Sequence, residues 1–161
     1  MDIKPKSFAP IIYSDTKILI MGSLPGKKSL ELNQYYGHAR NRIWNILSYL
    51  TADDIPVNYE DKLNLLRRNK IGLWDVAHSA HRKGSLDSNI KNEAPNDIES
   101  LIDKYISIKV IGFNGKKSEQ MFYKYFTEKE EINYVPLPST SPANMAISFE
   151  DICTRWSDLF A

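Results

Sequence analysis

Three stretches of this chain repeat one pattern: an apolar, β-rich run, a loop of small residues, then a helical periodicity. They are Lys17–Gly26 (KILIMGSLPG), Ile108–Gly115 (IKVIGFNG) and Ile132–Asn144 (INYVPLPSTSPAN). Strands followed by helical crossovers form a parallel sheet, and such a sheet collects every strand-to-helix loop at the carboxyl ends of its strands, where open α/β folds bind ligands. Loops far apart in sequence then meet at one site. With 161 residues the chain is long enough for a real core. The expected fold is three-layered α/β/α with a roughly four-stranded parallel sheet, one domain over residues 1–161, its residues 1–16 an extended N-terminal arm.

The periodicity places the elements. Lys17–Gly22 is a continuous apolar run, as expected of a central strand. Asn41–Leu50 reads as a helix, with Ile43, Ile46, Leu47 and Leu50 on one face, and Tyr59–Asn69 as a second. Ile71–Val76 is a short strand, and residues 77–95 read as a long polar loop. Asn96 is the expected N-cap of a helix to Tyr105, with Glu99 at its third position. Ile98, Leu101, Ile102 and Tyr105 form that helix's buried stripe. Strand Ile108–Phe113, helix Lys116–Phe126 (Met121, Phe122 and Tyr125 inward) and strand Ile132–Leu137 follow. Ser148 caps a last helix whose stripe is Phe149, Ile152, Trp156, Leu159 and Phe160.

Composition excludes several classes. No apolar run is long enough to span a membrane, and the N-terminus shows no signal-peptide pattern, so a cytoplasmic chain with no membrane partner is expected. Cys153 is the only cysteine, which excludes an intrachain disulfide and a multi-cysteine metal site. His78 and His81 lack an acidic partner, and no metal site is expected. Net charge is +1, so nucleic-acid contact must come from local clusters such as Arg40/Arg42, Arg67/Arg68 or Lys116/Lys117. Gly22–Ser29 and Gly112–Ser118 resemble phosphate loops, but their glycine spacing is too short for nucleotide hydrolysis. No G-x-S-x-G turn offers a nucleophilic serine.

Two segments carry the chemistry. Tyr35–Trp44 (YYGHARNRIW) packs two tyrosines, a histidine, two arginines and an asparagine into eight residues. Asn41 taken alone reads better as a cap of the following helix, and the tyrosines can be core. Together they suit an extruded base, an aromatic stacking on it while an amide positions water or reads a base edge. Pro136–Asn144 is a proline-stiffened loop of small hydroxyl residues. It is either a plain strand-to-helix connection or a clasp for DNA phosphates.

These pieces, in order, resemble the uracil-DNA glycosylase superfamily, and within it the hypoxanthine-DNA (deoxyinosine) glycosylase family. The matching residues are Gly22-Ser-Leu-Pro-Gly26, then Tyr35–Trp44, then Gly72-Leu-Trp-Asp75 with Gly84-Ser-Leu-Asp87, then Phe113-Asn-Gly115, then Ser139-Thr-Ser-Pro-Ala-Asn144. They cover nearly the whole chain from Lys17 onward. The chain departs from the family at Ala39, where proline is common, and at Leu24, where phenylalanine is common. Many superfamily members carry a catalytic Asp or Asn at the position of Leu24. The hypoxanthine family lacks it, and its essential asparagine matches Asn41.

The resemblance implies hydrolysis of the glycosidic bond of a flipped, deaminated base, with no metal and no cofactor. In that reading Asn41 orients the water and His38 gives electrostatic support. Gly22, Ser23, Leu24, Tyr36 and Asp75 form the base pocket, Tyr36 stacking on the base and Asp75 accepting the N1–H of hypoxanthine; Asp75 is alternatively a cap for the long loop. Arg40, Arg42, Lys116, Ser139, Thr140, Ser141, Pro142 and Asn144 contact the DNA. The expected partner is DNA, double- or single-stranded, bound by a monomer. A glycosylase for uracil or another deaminated base, a non-catalytic DNA-binding relative, and a small nucleotide-binding protein are the alternatives.

Overall fold

The structure, a computed structural model, describes residues 6–82 and 85–161. β1 (Ile18–Gly22) leads through a tight loop into a short helix, α1 (Lys27–Leu32), followed by α2 (Ile43–Thr51) and α3 (Tyr59–Arg68). β2 (Ile71–Asp75) returns to the sheet. β3 (Ala77–His81) and β4 (Lys91–Pro95) then form a hairpin of their own. The chain continues through α4 (Ile98–Lys104), β5 (Val110–Asn114), α5 (Lys116–Tyr125), β6 (Asn133–Leu137) and α6 (Phe149–Trp156). The main sheet has the order β2-β1-β5-β6, with every pair parallel. β1 is thus central, as its apolar run requires.

Alternation along β1 divides the core. Ile18 and Ile20 face one helical layer with Ile46, Leu47, Leu65 and Trp156, whereas Leu19 and Met21 face the other with Ile98, Ile111, Met121 and Phe122. Each fully buried aliphatic side chain of this kind stabilises by roughly 1.5–3 kcal/mol, so both faces of the sheet are held. Register then fixes the ligand edge. Gly22 lies beside Asp75, and Asn114 beside Leu137, so these strands end together.

Several local expectations differ from the structure. Residues 77–95 are not a bare loop: Ala77 pairs with Pro95 and His81 with Lys91 in an irregular antiparallel ladder. Asp97, not Asn96, caps α4, accepting from the Ser100 amide at 3.1 Å. The Asn96 amide is buried instead and donates to the carbonyls of Asp75 and Ala77, closing the base of the hairpin. α1 was not apparent because its six residues carry only a weak stripe. α2 begins two residues late because Asn41 sits in a turn, its N–H donating to the His38 carbonyl. Tyr125, Phe149 and Phe160 are surface residues, not core; the last helix ends at Trp156 in a 3-10 turn whose Leu159 alone turns inward. Ser148 caps α6 as expected. The arm is extended but not free, since Ile11 pairs antiparallel with Leu73 on the outer edge of β2. No helix among the described residues is long and apolar enough to cross a membrane.

Candidate active site

The loops after β1, β2, β5 and β6 surround one cleft of about 130 Å³ at the carboxyl edge of the sheet. Gly22, Ser23, Leu24, Tyr36, His38, Asn41, Asp75, Ser139, Thr140, Ser141 and Pro142 all line it. Arg40, Arg42, Asn144 and Lys116 do not.

Asp75 ends β2 at the floor, 4% exposed, and its Oδ2 has no hydrogen-bond partner. Burial, reinforced by the charge of Asp87 and partly opposed by Arg82, lifts its pKa from 3.8 to about 7. Above the neighbouring Gly22 stands the Tyr36 hydroxyl, also buried and without a partner. A Cβ at position 22 would lie 2.5 Å from Asp75 Oδ1 and 3.0 Å from that hydroxyl oxygen, so only glycine leaves room for both groups. Tyr36 reaches this place from a left-handed backbone (φ 49°), its carbonyl taking the Trp44 indole N–H at 3.1 Å. Its ring is one of a row, between Tyr35 at 6.3 Å and Trp44 at 6.4 Å. Burial and the nearby Asp75 carboxylate push the Tyr36 phenol upward, so it stays a protonated donor.

Asn41 stands at the rim. Its Oδ1 accepts from the Ile43 N–H at 3.1 Å, a cap-type bond that fixes the amide plane, while its NH₂ has no partner among the described residues. Both readings of Asn41 therefore coexist in the geometry: it stabilises the start of α2 and faces the cleft. His38 Nδ1 accepts from the Arg40 N–H at 3.0 Å, which in the neutral ring leaves the proton on Nε2.

The hairpin braces the loop after β1. Ser23 Oγ donates to Asp87 at 2.6 Å, and the Lys27 N–H donates to Ser85 Oγ at 2.8 Å. Arg82, only 2% exposed, donates to the carbonyls of Leu24 and Pro25 and pairs with Asp87. The expected loop piece at residues 84–87 is thus represented by Ser85 and Asp87; Gly84 lies outside the described residues.

The loop after β6 is held in a comparable way. Thr140 is fully buried, its N–H donating to Asn114 Oδ1 and its hydroxyl accepting from Asn114 Nδ2, both at 3.0 Å. Asn144 donates to the Ser139 carbonyl at 2.9 Å. Arg42 spends its guanidinium on the carbonyls of Ile147 (2.8 Å) and Asn144 (2.7 Å). Thr140, Arg42 and Asn144 therefore shape the loop from within, whereas Ser139, Ser141 and Pro142 face the cleft. Arg40 and Lys116 are open to solvent outside it.

Several lining residues carry no assigned role in the sequence, Asp87, Asn114, Tyr35 and Phe8 among them. Asp87 and Asn114 lay inside the matching pieces without a role. Tyr35 was read with its neighbour, but its hydroxyl is tied to the Ala9 carbonyl at 2.8 Å. Phe8, on the arm, gave no signal. Among the described residues no group of three or more His, Cys, Asp or Glu side chains could hold a metal ion.

Comparison with known proteins agrees with this geometry. A family model described as the uracil DNA glycosylase superfamily matches residues 10–160. A hypoxanthine DNA glycosylase of Methanosarcina barkeri is 44% identical over 117 residues, 72% of this chain and 74% of that protein. One from Methanosarcina acetivorans is 35% identical over 156 residues, 96% of this chain and 97% of that protein. A solution NMR structure from Methanosarcina acetivorans, described as a candidate uracil DNA glycosylase, superimposes with a TM-score of 0.80 at 31% identity, over 99% of this chain and 100% of that one. The chain therefore belongs to the uracil DNA glycosylase superfamily.

Proposed function

We propose that this protein is a DNA repair glycosylase that hydrolyses the N-glycosidic bond of deoxyinosine, releasing hypoxanthine and leaving an abasic site. The observation that carries the reading is the unpartnered pair at the floor of the cleft, the Asp75 carboxyl and the Tyr36 hydroxyl. Buried polar atoms without partners are costly in a fold and mark a place where a ligand completes the bonding. Hypoxanthine offers N1–H as donor and O6 as acceptor along one edge. The Asp75 carboxylate accepts the first and the Tyr36 hydroxyl donates to the second. Adenine reverses both groups and leaves the pocket unsatisfied. The names of the two Methanosarcina relatives support the same base.

The reacting bond lies inside the helix, so the nucleotide must be extruded into the cleft. Cleavage builds positive charge on the sugar and negative charge on the departing base, and the site meets the two at opposite ends of the nucleotide. The Tyr36 hydroxyl, donating to O6, takes up charge on the base. Asn41, its plane fixed by Ile43 N–H, holds a water with its free NH₂ and remaining Oδ1 lone pair on the sugar face. His38 Nε2–H lies at the same rim. Ser139, Ser141 and Pro142 contact the strand beside the extruded nucleotide, with Arg40 and Lys116 reaching phosphates outside the cleft. In this reading a monomer acts on DNA, single- or double-stranded, in the cytoplasm.

The test is a panel of labelled oligonucleotides carrying hypoxanthine, uracil, xanthine or a mismatched thymine, followed by alkaline scission. Breaks at hypoxanthine are expected. A protein that cleaves uracil in preference to hypoxanthine refutes the assigned base, and one that cleaves none refutes the activity.

A further inference from the structure

We propose that Phe8 of the N-terminal arm is the aromatic wall on which the extruded base rests, making the arm a part of the active site. The inference builds on the glycosylase reading above. Phe8 lies ahead of residues 10–160, the span that carries the family match, so family membership does not assign it a role.

The arm is seated by directed bonds from four elements. Ile11 exchanges backbone hydrogen bonds with Leu73, both at 2.9 Å. The Ser7 N–H donates to the His78 carbonyl at 2.8 Å, and Ser7 Oγ accepts from the Asn96 amide at 2.9 Å. The Trp74 indole donates to the Phe8 carbonyl at 3.1 Å, and the Tyr35 hydroxyl to that of Ala9 at 2.8 Å. Gly72 permits the close approach: a Cβ there would lie 2.7 Å from the Ile11 carbonyl oxygen. The backbone is therefore fixed on both sides of Phe8, and the ring enters the cleft wall already oriented. It meets Tyr35 edge-on at 5.3 Å and 75°, which holds the ring at its rim.

The other aromatics of the cleft are committed elsewhere. Tyr35 anchors the arm through its hydroxyl, and Tyr36 sits between Tyr35 and Trp44 with its hydroxyl over Gly22. A planar base reading Asp75 and Tyr36 along its edge still needs an apolar surface against its face, and Phe8 is a half-buried ring in the lining, packed against Tyr35 and the core cluster behind it and with no polar group of its own to satisfy. A preoriented ring costs no ordering on binding, so the contact favours the flipped state directly.

The test uses the full chain with Phe8→Ala and Phe8→Tyr. Hypoxanthine release is followed under single turnover, and binding is measured to a duplex carrying a tetrahydrofuran abasic analogue, which has no base to stack. Phe8→Ala should slow release by roughly 5- to 150-fold, the range of base–aromatic contacts. Its affinity for the tetrahydrofuran duplex should stay within about twofold of wild type, and Phe8→Tyr should restore most of the rate. Unchanged release by Phe8→Ala overturns the inference. So does an equal loss of affinity for the tetrahydrofuran duplex, since the arm would then serve DNA docking or folding. Wild-type protein that releases no hypoxanthine overturns the function itself and this inference with it, whereas an active wild type beside an equally active Phe8→Ala overturns the inference alone.

Discussion

Replacing Asp75 by Asn tests the pocket floor through stability and activity together. The folded protein keeps a proton on Asp75 up to about pH 7, while the unfolded chain releases it near 3.8. Between those values the folded state binds more protons than the unfolded one, so stability falls as pH rises and levels off above about pH 7. At about 1.4 kcal/mol per pH unit, the wild type carries a penalty of ~4 kcal/mol at pH 8 relative to its acid form. Asparagine fills nearly the same volume and cannot ionise. Asp75→Asn should therefore match the wild type near pH 4 and exceed it by up to ~4 kcal/mol at pH 8, less whatever its second amide proton loses by burial. Urea unfolding of both proteins from pH 4 to 9 measures the difference, and titrating groups that do not feel the Asp75 charge cancel in the comparison. In the same pH series, wild-type hypoxanthine release should rise through about pH 7 as the carboxylate forms. The variant should be slower and flat across that interval. Parallel stability curves, or an activity inflection that survives in Asp75→Asn, would show that Asp75 does not titrate at the floor of the cleft, and the recognition argument would fail.

Asn41→Ala should lower the single-turnover rate by orders of magnitude while costing only ~1 kcal/mol of stability, the usual worth of one cap bond; earlier melting with normal cleavage would leave Asn41 a cap only. Gly22→Ala should abolish release, because its Cβ would fall 2.5 Å from Asp75 Oδ1, and a fully active variant would place the reading site elsewhere. Asn114→Ala removes two bonds to buried Thr140 and should cost roughly 2–3 kcal/mol, with weaker DNA affinity but a recoverable rate at high enzyme concentration; unchanged melting would refute the brace. Release should persist in EDTA, since no metal-holding group of side chains is found among the described residues; loss restored by a divalent ion would refute the water-positioning scheme.

The parallel sheet was legible because its strands announce themselves. Five consecutive buried residues in β1 can only be a strand covered on both faces, and the repeated strand-loop-helix order fixes where its loops converge. The hairpin at residues 77–95 was illegible for the opposite reason. Lys91–Pro95 has little β-propensity and is mostly exposed, so its pairing comes from closure onto Ala77 and from the Asn96 amide beneath, not from its own pattern. Asn96 misled for a related reason: Asn and Asp both cap helices, and adjacent candidates are separated only by which side chain the tertiary structure buries.

At the cleft, residue type pointed to segments that the fold does bring together, but not to how each side chain there is bonded. Arg42 and Arg40 look alike in sequence, two residues apart among polar and aromatic neighbours. One ends in two carbonyls over a hundred positions away and the other in solvent. A guanidinium whose two terminal nitrogens are taken by main-chain oxygens fixes a loop; the solvent-exposed one is left to meet a phosphate. Asp75 and Asp87 divide in the same way. Asp87 is answered by Ser23 and Arg82, whereas Asp75 keeps a buried Oδ2 with no hydrogen-bond partner. In the proposed reading the base-reading carboxylate is thus distinguished by the partner its Oδ2 lacks, a property of packing across the strand ends that no local pattern encodes. The same reasoning applies to Phe8: the arm brings it to the cleft because Gly72, far along the chain, has no side chain to keep Ile11 off the edge of β2.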